Sequence, residues 1–403
     1  MKYLLLRLKR FCGFITGVVF FIAGIFKLLD PVGAGLVMKE YMDFLHIGFM
    51  VPIAKQAAAV LAFAETLIGT ALITGIWRRA TAVVALTFQI LFTFLTLLLV
   101  VFNPEMDCGC FGEAIHLSHF ETFIKNVILM FLLLAFALPF RHLGGPKRHK
   151  YMSFGIVTAA VVAFAVYTWI NIPFIDYTVF KPAVALRAVN AFGPSDEEIY
   201  EAIFVYTKDD EVREFTLDQL PDSTWNFVET KTVQKQGGGD VTADLTFYDE
   251  VGTYQDTLAV KGKVLVMSVY DLQARTALWK RASQFLTNAA EIGFQPLILV
   301  SASPEQIEDV CAMLPEYGEM IKRYLYYSDY KTLITMNRSN GGVTYFSDGY
   351  LIKKWSSRAC PDFSELHDIY YGDDTETIIG SDTLSSLAFQ GFLLGVFAIM
   401  LLV

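Results

Sequence analysis

Charge is scarce in this sequence. Of its 403 residues only 18% are charged, whereas 54% are hydrophobic and Phe alone occurs 34 times. Soluble domains carry about 25% charged residues, which excludes a wholly soluble chain. Disorder is excluded as well, because it requires low hydrophobicity. Cysteine is sparse: there are five, and no two have the Cys-x-x-Cys spacing of the common helix-capping dithiol site. The glycine run at 236–240 lacks the downstream Lys-Ser/Thr of a phosphate-cradling loop. No hydrolase triad stands out. The formal net charge is -9, and no basic patch suggests nucleic acid as a partner.

That net charge hides a division. Residues 1–170 carry a net +6 and residues 171–403 a net -15. Two physically different pieces are joined near residue 170. The first contains apolar stretches of about 20 residues, enough for a helix to cross a bilayer. They lie at 11–29, 53–77, 80–102, 123–140 and 152–170, and a sixth at 384–403 closes the chain. The expected partners therefore begin with the lipid bilayer. The first stretch has no small-residue cleavage site and runs into Lys27 and Asp30-Pro31, unlike a cleaved signal peptide. Basic residues mark the cytoplasmic side. They cluster at Lys2, Arg7, Lys9 and Arg10, then at Arg78 and Arg79, then at Arg141, Lys147, Arg148 and Lys150. These clusters fall on alternate loops, which predicts a cytoplasmic N-terminus and places both the 103–120 loop and residues 171–383 outside.

The outer segment predicts an α/β region. A hairpin is expected around Lys208-Asp209-Asp210, and 236–240 reads as a linker. Beyond it, 264–269 is a continuous apolar run of the buried-strand kind. Helical spacing over 275–292 puts Leu278, Ala282, Phe285 and Ala289 on one face. A second buried strand follows at 297–300, and Ser303-Pro304 starts a helix. A short strand at 324–327 precedes a hairpin that turns at Asp348-Gly349. The order β-α-β-α-β-(short α)-β-β is that of a thioredoxin-like domain. Its dithiol site is missing: 270–276 contains no cysteine, and Asn340-Gly341-Gly342 stands where a cis-proline is usual. The expected fold is thus a multi-span α-helical membrane bundle with an α/β thioredoxin-like extracytoplasmic domain. The parts are expected at 1–145, 146–172 (a fifth membrane helix), 173–239 (small and β-rich), 240–372 (thioredoxin-like) and 383–403 (the last span).

Several stretches carry a family resemblance. Gly24-Ile25-Phe26-Lys27-Leu28-Leu29-Asp30-Pro31, Ala64-Glu65, Asp107-Cys108-Gly109-Cys110-Phe111-Gly112 and Glu121-Thr122-Phe123-Ile124-Lys125-Asn126 resemble the DoxX/MauE family, the cysteine stretch its redox-associated MauE-type branch. The segment 207–230, with Pro221-Asp222-Ser223-Thr224-Trp225, resembles the periplasmic extension of some members. The resemblance implies a DoxX-like four-helix membrane core, with two further spans here, in the bacterial inner membrane. It implies service in redox or disulfide maturation of periplasmic client proteins.

The residues support a related chemistry independently. Cys108 and Cys110 lie in an outer loop, where thiols can oxidise, beside a membrane that could supply a quinone as electron acceptor. A Cys-x-Cys bridge closes a small strained ring, and strained bridges are labile. The alternative is a bridge that merely pins the loop. A zinc site at Cys108, Cys110, His116 and His119 competes, although one residue between the cysteines is tight for chelation. Lys27 and Glu65 are ionisable at membrane depth, where such groups face the bundle interior or a partner. Lys27 either pairs with Glu65 or reaches the headgroups. Glu65 pairs with Lys27, or is protonated and bonded to Gln89 or Thr66. This group could relay protons or contact a quinone through Glu65 and Gln89, or simply clasp helices together. Cys360, outside, could exchange electrons with the pair, whereas Cys12 and Cys311 are expected to be packing residues. The two functions that follow are a quinone-linked thiol oxidoreductase acting through Cys108 and Cys110, and a non-enzymatic assembly factor whose degenerate outer domain holds a client.

Overall fold

A computed structural model describes residues 2–137, 148–187, 200–208, 211–216, 226–234, 242–272 and 276–402. Arg141 and Lys147, the turn at 209–210, the 221–225 stretch, the linker at 236–240 and Arg275 lie outside the described residues. The chain divides into two compact units that interleave in sequence. The first holds residues 1–181, 334–343 and 353–403, and the second 182–333 and 344–352.

Among the described residues six helices are long and apolar enough to cross a membrane. Each overlaps one of the expected stretches. In the first unit, α1 is Lys2–Leu29, α2 Pro31–Phe44, α3 Ala54–Thr74, α4 Arg78–Phe102, α5 His119–Ala137 and α6 Arg148–Ile170. The last helix is Asp374–Leu402. A short strand, β1 (Cys110–Glu113), lies between α4 and α5. The α2 helix was not expected from composition, yet its start is well signalled. Asp30 caps it, accepting from Gly33 N at 2.9 Å, and Pro31 occupies its first turn.

The basic ends of the helices gather at one end of the bundle. Arg10 lies within electrostatic range of Arg78. Trp77 packs against Tyr151, ring centroids 5.7 Å apart, and Lys150 Nζ donates to Met400 O at 3.2 Å. The opposite end carries Lys27, Asp30 and the cysteine loop. A core of Phe21, Ile25, Leu28 and Ala62 joins α1 and α3 to Val157, Val161 and Phe164 of α6 and to Phe389 and Val396 of the last helix.

In the second unit, β2 is Ala185–Arg187, β3 Tyr200–Lys208, β4 Glu211–Thr216, β5 Asn226–Gln234 and β6 Thr242–Asp244. β3 pairs antiparallel with both β4 and β5, as the expected hairpin requires. The strands β7 (Lys263–Val269), β8 (Gln295–Val300), β9 (Leu325–Tyr327), β10 (Gly342–Ser347) and β11 (Tyr350–Trp355) complete a sheet of order β6-β2-β11-β10-β7-β8-β9. β7, β8 and β9 are parallel, with Val266 opposite Leu297 and Val300 opposite Tyr327. All of β7 beyond Lys263 is buried, as its unbroken apolar run predicts. Asp348 (φ 45°) and Gly349 (φ 81°) make the expected turn. Ser303 caps Pro304–Ala312 in a capping box with Gln306. The helix Thr276–Ile292 corrects one expectation: Trp279, Ala282, Phe285 and Ala289 form its buried face, and Leu278 is only half-buried.

Candidate functional site

The site begins with a close helix crossing. Gly24 on α1 meets α3 so tightly that a β-carbon there would collide with Thr66 Oγ1 and Ala62 O. Small residues let membrane helices approach backbone to backbone in this way. Beside this contact stand Lys27, one turn further along α1, and Glu65, which lies between Ala62 and Thr66 on α3. Lys27 Nζ donates to Glu65 Oε1 at 2.8 Å and to Oε2 at 2.7 Å. The side chains are 14% and 3% exposed, so the ammonium is paired inside the bundle and does not reach for headgroups. Of the partners open to Glu65, the structure uses Lys27. Thr66 bonds back to Ala62 O, and Gln89 Nε2 donates to Asn126 O at 2.9 Å. Asn126 Nδ2 in turn donates to Thr96 Oγ1 at 3.2 Å, tying α5 to α4.

The cysteine loop closes over this end. Gly109 (φ 60°) and Gly112 (φ 59°) hold left-handed backbone, and the loop lies so close that a β-carbon on Gly109 would run into Val37 and one on Gly112 would meet Phe26 O at 3.3 Å. Tyr41 Oη, from α2, donates to Cys108 O at 2.8 Å. Lys125 Nζ sits 4.8 Å above the Phe111 ring. Ser118 and Glu121 cap α5 reciprocally: Ser118 N donates to Glu121 Oε2 at 2.9 Å, and Glu121 N to Ser118 Oγ at 3.3 Å.

Cys108 is buried and Cys110 half-buried, both as free thiols. Burial pushes the Cys108 thiol above its ordinary value. The nearby Thr122 hydroxyl and Lys125 ammonium oppose that rise without cancelling it. Burial, reinforced by the charges of Cys110 and Cys108, also drives Tyr41 upward. Its hydroxyl therefore stays protonated and remains a donor to Cys108 O.

Both cysteines line a cavity of about 440 Å³ inside the bundle. Its walls are mainly apolar, from Phe20, Val37, Met38, Leu61, Phe92 and Leu129 among others. The polar groups at its surface are Lys27, Glu65, Gln89, Thr96, Asn126, Lys125 and Tyr41. An apolar enclosure with a few convergent polar groups is the usual character of a small-molecule site.

The structure thus brings together Cys108, Cys110, Lys27, Glu65 and Gln89. Cys360 is half-buried beyond β11 and is not among the residues lining the cavity. The zinc set is not assembled. Among the described residues no group of three or more His, Cys, Asp or Glu could hold a metal ion. His119 directs Nε2 to Met106 O at 2.9 Å and Nδ1 to Asn103 Oδ1 at 3.3 Å. His116 is exposed, 3.6 Å from Asp107. Cys12 and Cys311 are packed in cores, as expected. Sequence reasoning missed Tyr41, and it met Thr122 and Lys125 only within the stretch that carries the family resemblance. The Lys125-Asn126 pair, one turn after Glu121-Thr122, was the available signal.

The family described as methylamine utilisation protein MauE matches residues 2–139, about a third of the chain. A second match, to a domain of unknown function (DUF8463), covers residues 200–236. No curated protein and no solved structure matches the chain. Together with the six apolar helices, the first match describes a multi-pass membrane protein with a MauE-type membrane region.

Proposed function

We propose that the chain is a membrane thiol oxidoreductase that oxidises the thiols of exported proteins and passes the electrons to a quinone. The observation that carries this reading is that Cys108 and Cys110 share one apolar cavity with the Lys27–Glu65 pair inside a helix bundle. The MauE match supports a role in redox-related maturation. A bridged Cys108–Cys110 pair accepts two electrons and two protons from a client dithiol. The client becomes a disulfide and the pair a dithiol. The pair then gives two electrons and two protons to a lipid-soluble quinone, which leaves as the quinol, and the S–S bond re-forms. Cys110, the more accessible thiol, meets the client, and buried Cys108 faces the cavity. Gln89, Asn126 and Tyr41 fit the polar edge of a quinone head, and the apolar wall fits its ring and tail. Glu65, held by Lys27, is the carboxylate placed to move a proton at the cavity wall.

The same reading puts the protein in a bacterial inner membrane with its N-terminus cytoplasmic and residues 171–383 in the periplasm. The strand order β11-β10-β7-β8-β9 supports a thioredoxin-like region there. Lacking a Cys-x-x-Cys pair, that region holds clients and leaves the exchange to Cys108 and Cys110. Thiol trapping in intact membranes tests the proposal: the pair cycles between bridged and reduced, and a quinone analogue shifts it toward the bridge. A pair that stays reduced or stays bridged under all conditions sinks it. The missing dithiol also favours a second reading, a purely client-holding assembly factor. That reading prevails if replacing both cysteines with serine leaves maturation intact in cells.

A further inference from the structure

A buried arginine far along the chain grips the strand that carries Cys110. Arg338, in the 334–343 segment of the first unit, has a side chain only 5% exposed. Its guanidinium uses three nitrogens on three partners. Nε donates to Asp30 Oδ2 at 2.9 Å, Nη2 to Glu113 Oε1 at 3.0 Å and Nη1 to Ile334 O at 3.2 Å. Asp30 is the cap of α2 and lies three residues after Lys27. Glu113 ends β1 and lies three residues after Cys110. One planar fork therefore fixes the far end of the cysteine strand to the α1–α2 junction. A rigid fork that bonds each partner in a set direction constrains geometry in a way a point charge does not.

We infer that Arg338 is a positioning residue for the thiol pair: by holding Glu113 against Asp30 it fixes the Cys110 strand at the cavity, where Cys110 can close on Cys108. This inference rests on the redox reading above. Pre-orientation raises the effective concentration of reacting groups. Releasing the strand therefore disfavours the bridge relative to the dithiol. Glu113→Gln leaves the Arg338–Asp30 contact in place and weakens only the link to the strand.

The test uses the full-length protein in membranes equilibrated across glutathione redox buffers. The bridged fraction of Cys108 and Cys110 is read by differential alkylation and mass spectrometry for the native chain, Arg338→Gln, Arg338→Lys and Glu113→Gln. We expect Arg338→Gln and Glu113→Gln each to lower the bridging equilibrium about tenfold, ~30 mV for a two-electron couple, and Arg338→Lys to leave most of that loss in place. Slow alkylation of buried Cys12 reports an intact bundle. If Arg338→Gln exposes Cys12, Glu113→Gln carries the test. A native midpoint in Glu113→Gln, or full rescue by Arg338→Lys, overturns the inference. A native pair that never bridges overturns the redox reading and this inference with it. A native pair that bridges normally while Glu113→Gln is unshifted overturns the inference alone.

Discussion

Lys27 and Glu65 meet through both carboxylate oxygens, at 2.8 and 2.7 Å, beside the contact where Gly24 presses on Ala62 and Thr66. The helix crossing places the charges, and the charges in turn hold the cavity wall. Removing one partner of a buried pair strands the other and costs about 3–5 kcal/mol, whereas an apolar replacement of both is near neutral. Lys27→Met alone is therefore expected to lower thermal stability in detergent, and Lys27→Met/Glu65→Leu to restore most of it. The double variant should still lose quinone-dependent reoxidation. Retained turnover would assign the pair a purely structural role.

Gly24→Ala tests the crossing itself. The added carbon meets main chain on α3, so the helices must separate. Overpacking of this kind costs about 1–3 kcal/mol. Thermal unfolding of the purified variant measures it, and an unchanged midpoint would show that the crossing tolerates more space than the structure has.

The thiols should label unequally. Cys110 is half-buried, while Cys108 is buried with its thiol pushed up. Alkylation at pH 8 should modify Cys110 first. The Cys108 rate should keep rising about tenfold per pH unit past pH ~8.5, where an ordinary thiol begins to level off. Peptide-resolved alkylation kinetics decide it, and equal rates with a plateau near pH ~8.5 would contradict the burial.

Acid should loosen the segment after α6. Asp176 is bonded to Lys354, and both are half-buried. Burial alone would raise the Asp176 carboxyl, but the Lys354 ammonium and the Thr178 donors outweigh it and hold it below the usual range. A depressed carboxylate stabilises the fold above its unfolded value of about 3.9, and that stability is lost as pH falls through the folded value. Stability should therefore drop below about pH 4, and the drop should be smaller in Asp176→Asn, as seen by unfolding at pH 3 and pH 6.

The six spans were legible because length and hydropathy act locally, and so were the Asp348-Gly349 turn, the Ser303-Pro304 helix start and the buried β7 run. The α2 helix was not, because Gly33, Gly35, Glu40 and Asp43 break its apolar pattern; only the Asp30-Pro31 cap announced it. Trp279 took the place expected for Leu278 because packing in the second unit, rather than spacing alone, sets the phase of that helix. Pairing of Glu65 with Lys27 was one of three open choices, decided by the Gly24 contact. The Arg338 fork joins residues 308 and 225 positions apart, and no local pattern in a single sequence encodes such a link.

The most direct measurement of the central claim is the stoichiometry of quinone reduction by the purified, reduced protein. Absorbance follows the quinone, and alkylation with mass spectrometry counts the bridge. The account predicts one quinone reduced for each Cys108–Cys110 bridge formed, and none in the Cys108→Ser/Cys110→Ser variant. Quinone reduction that persists in that variant, or a bridge that forms without it, would contradict the account.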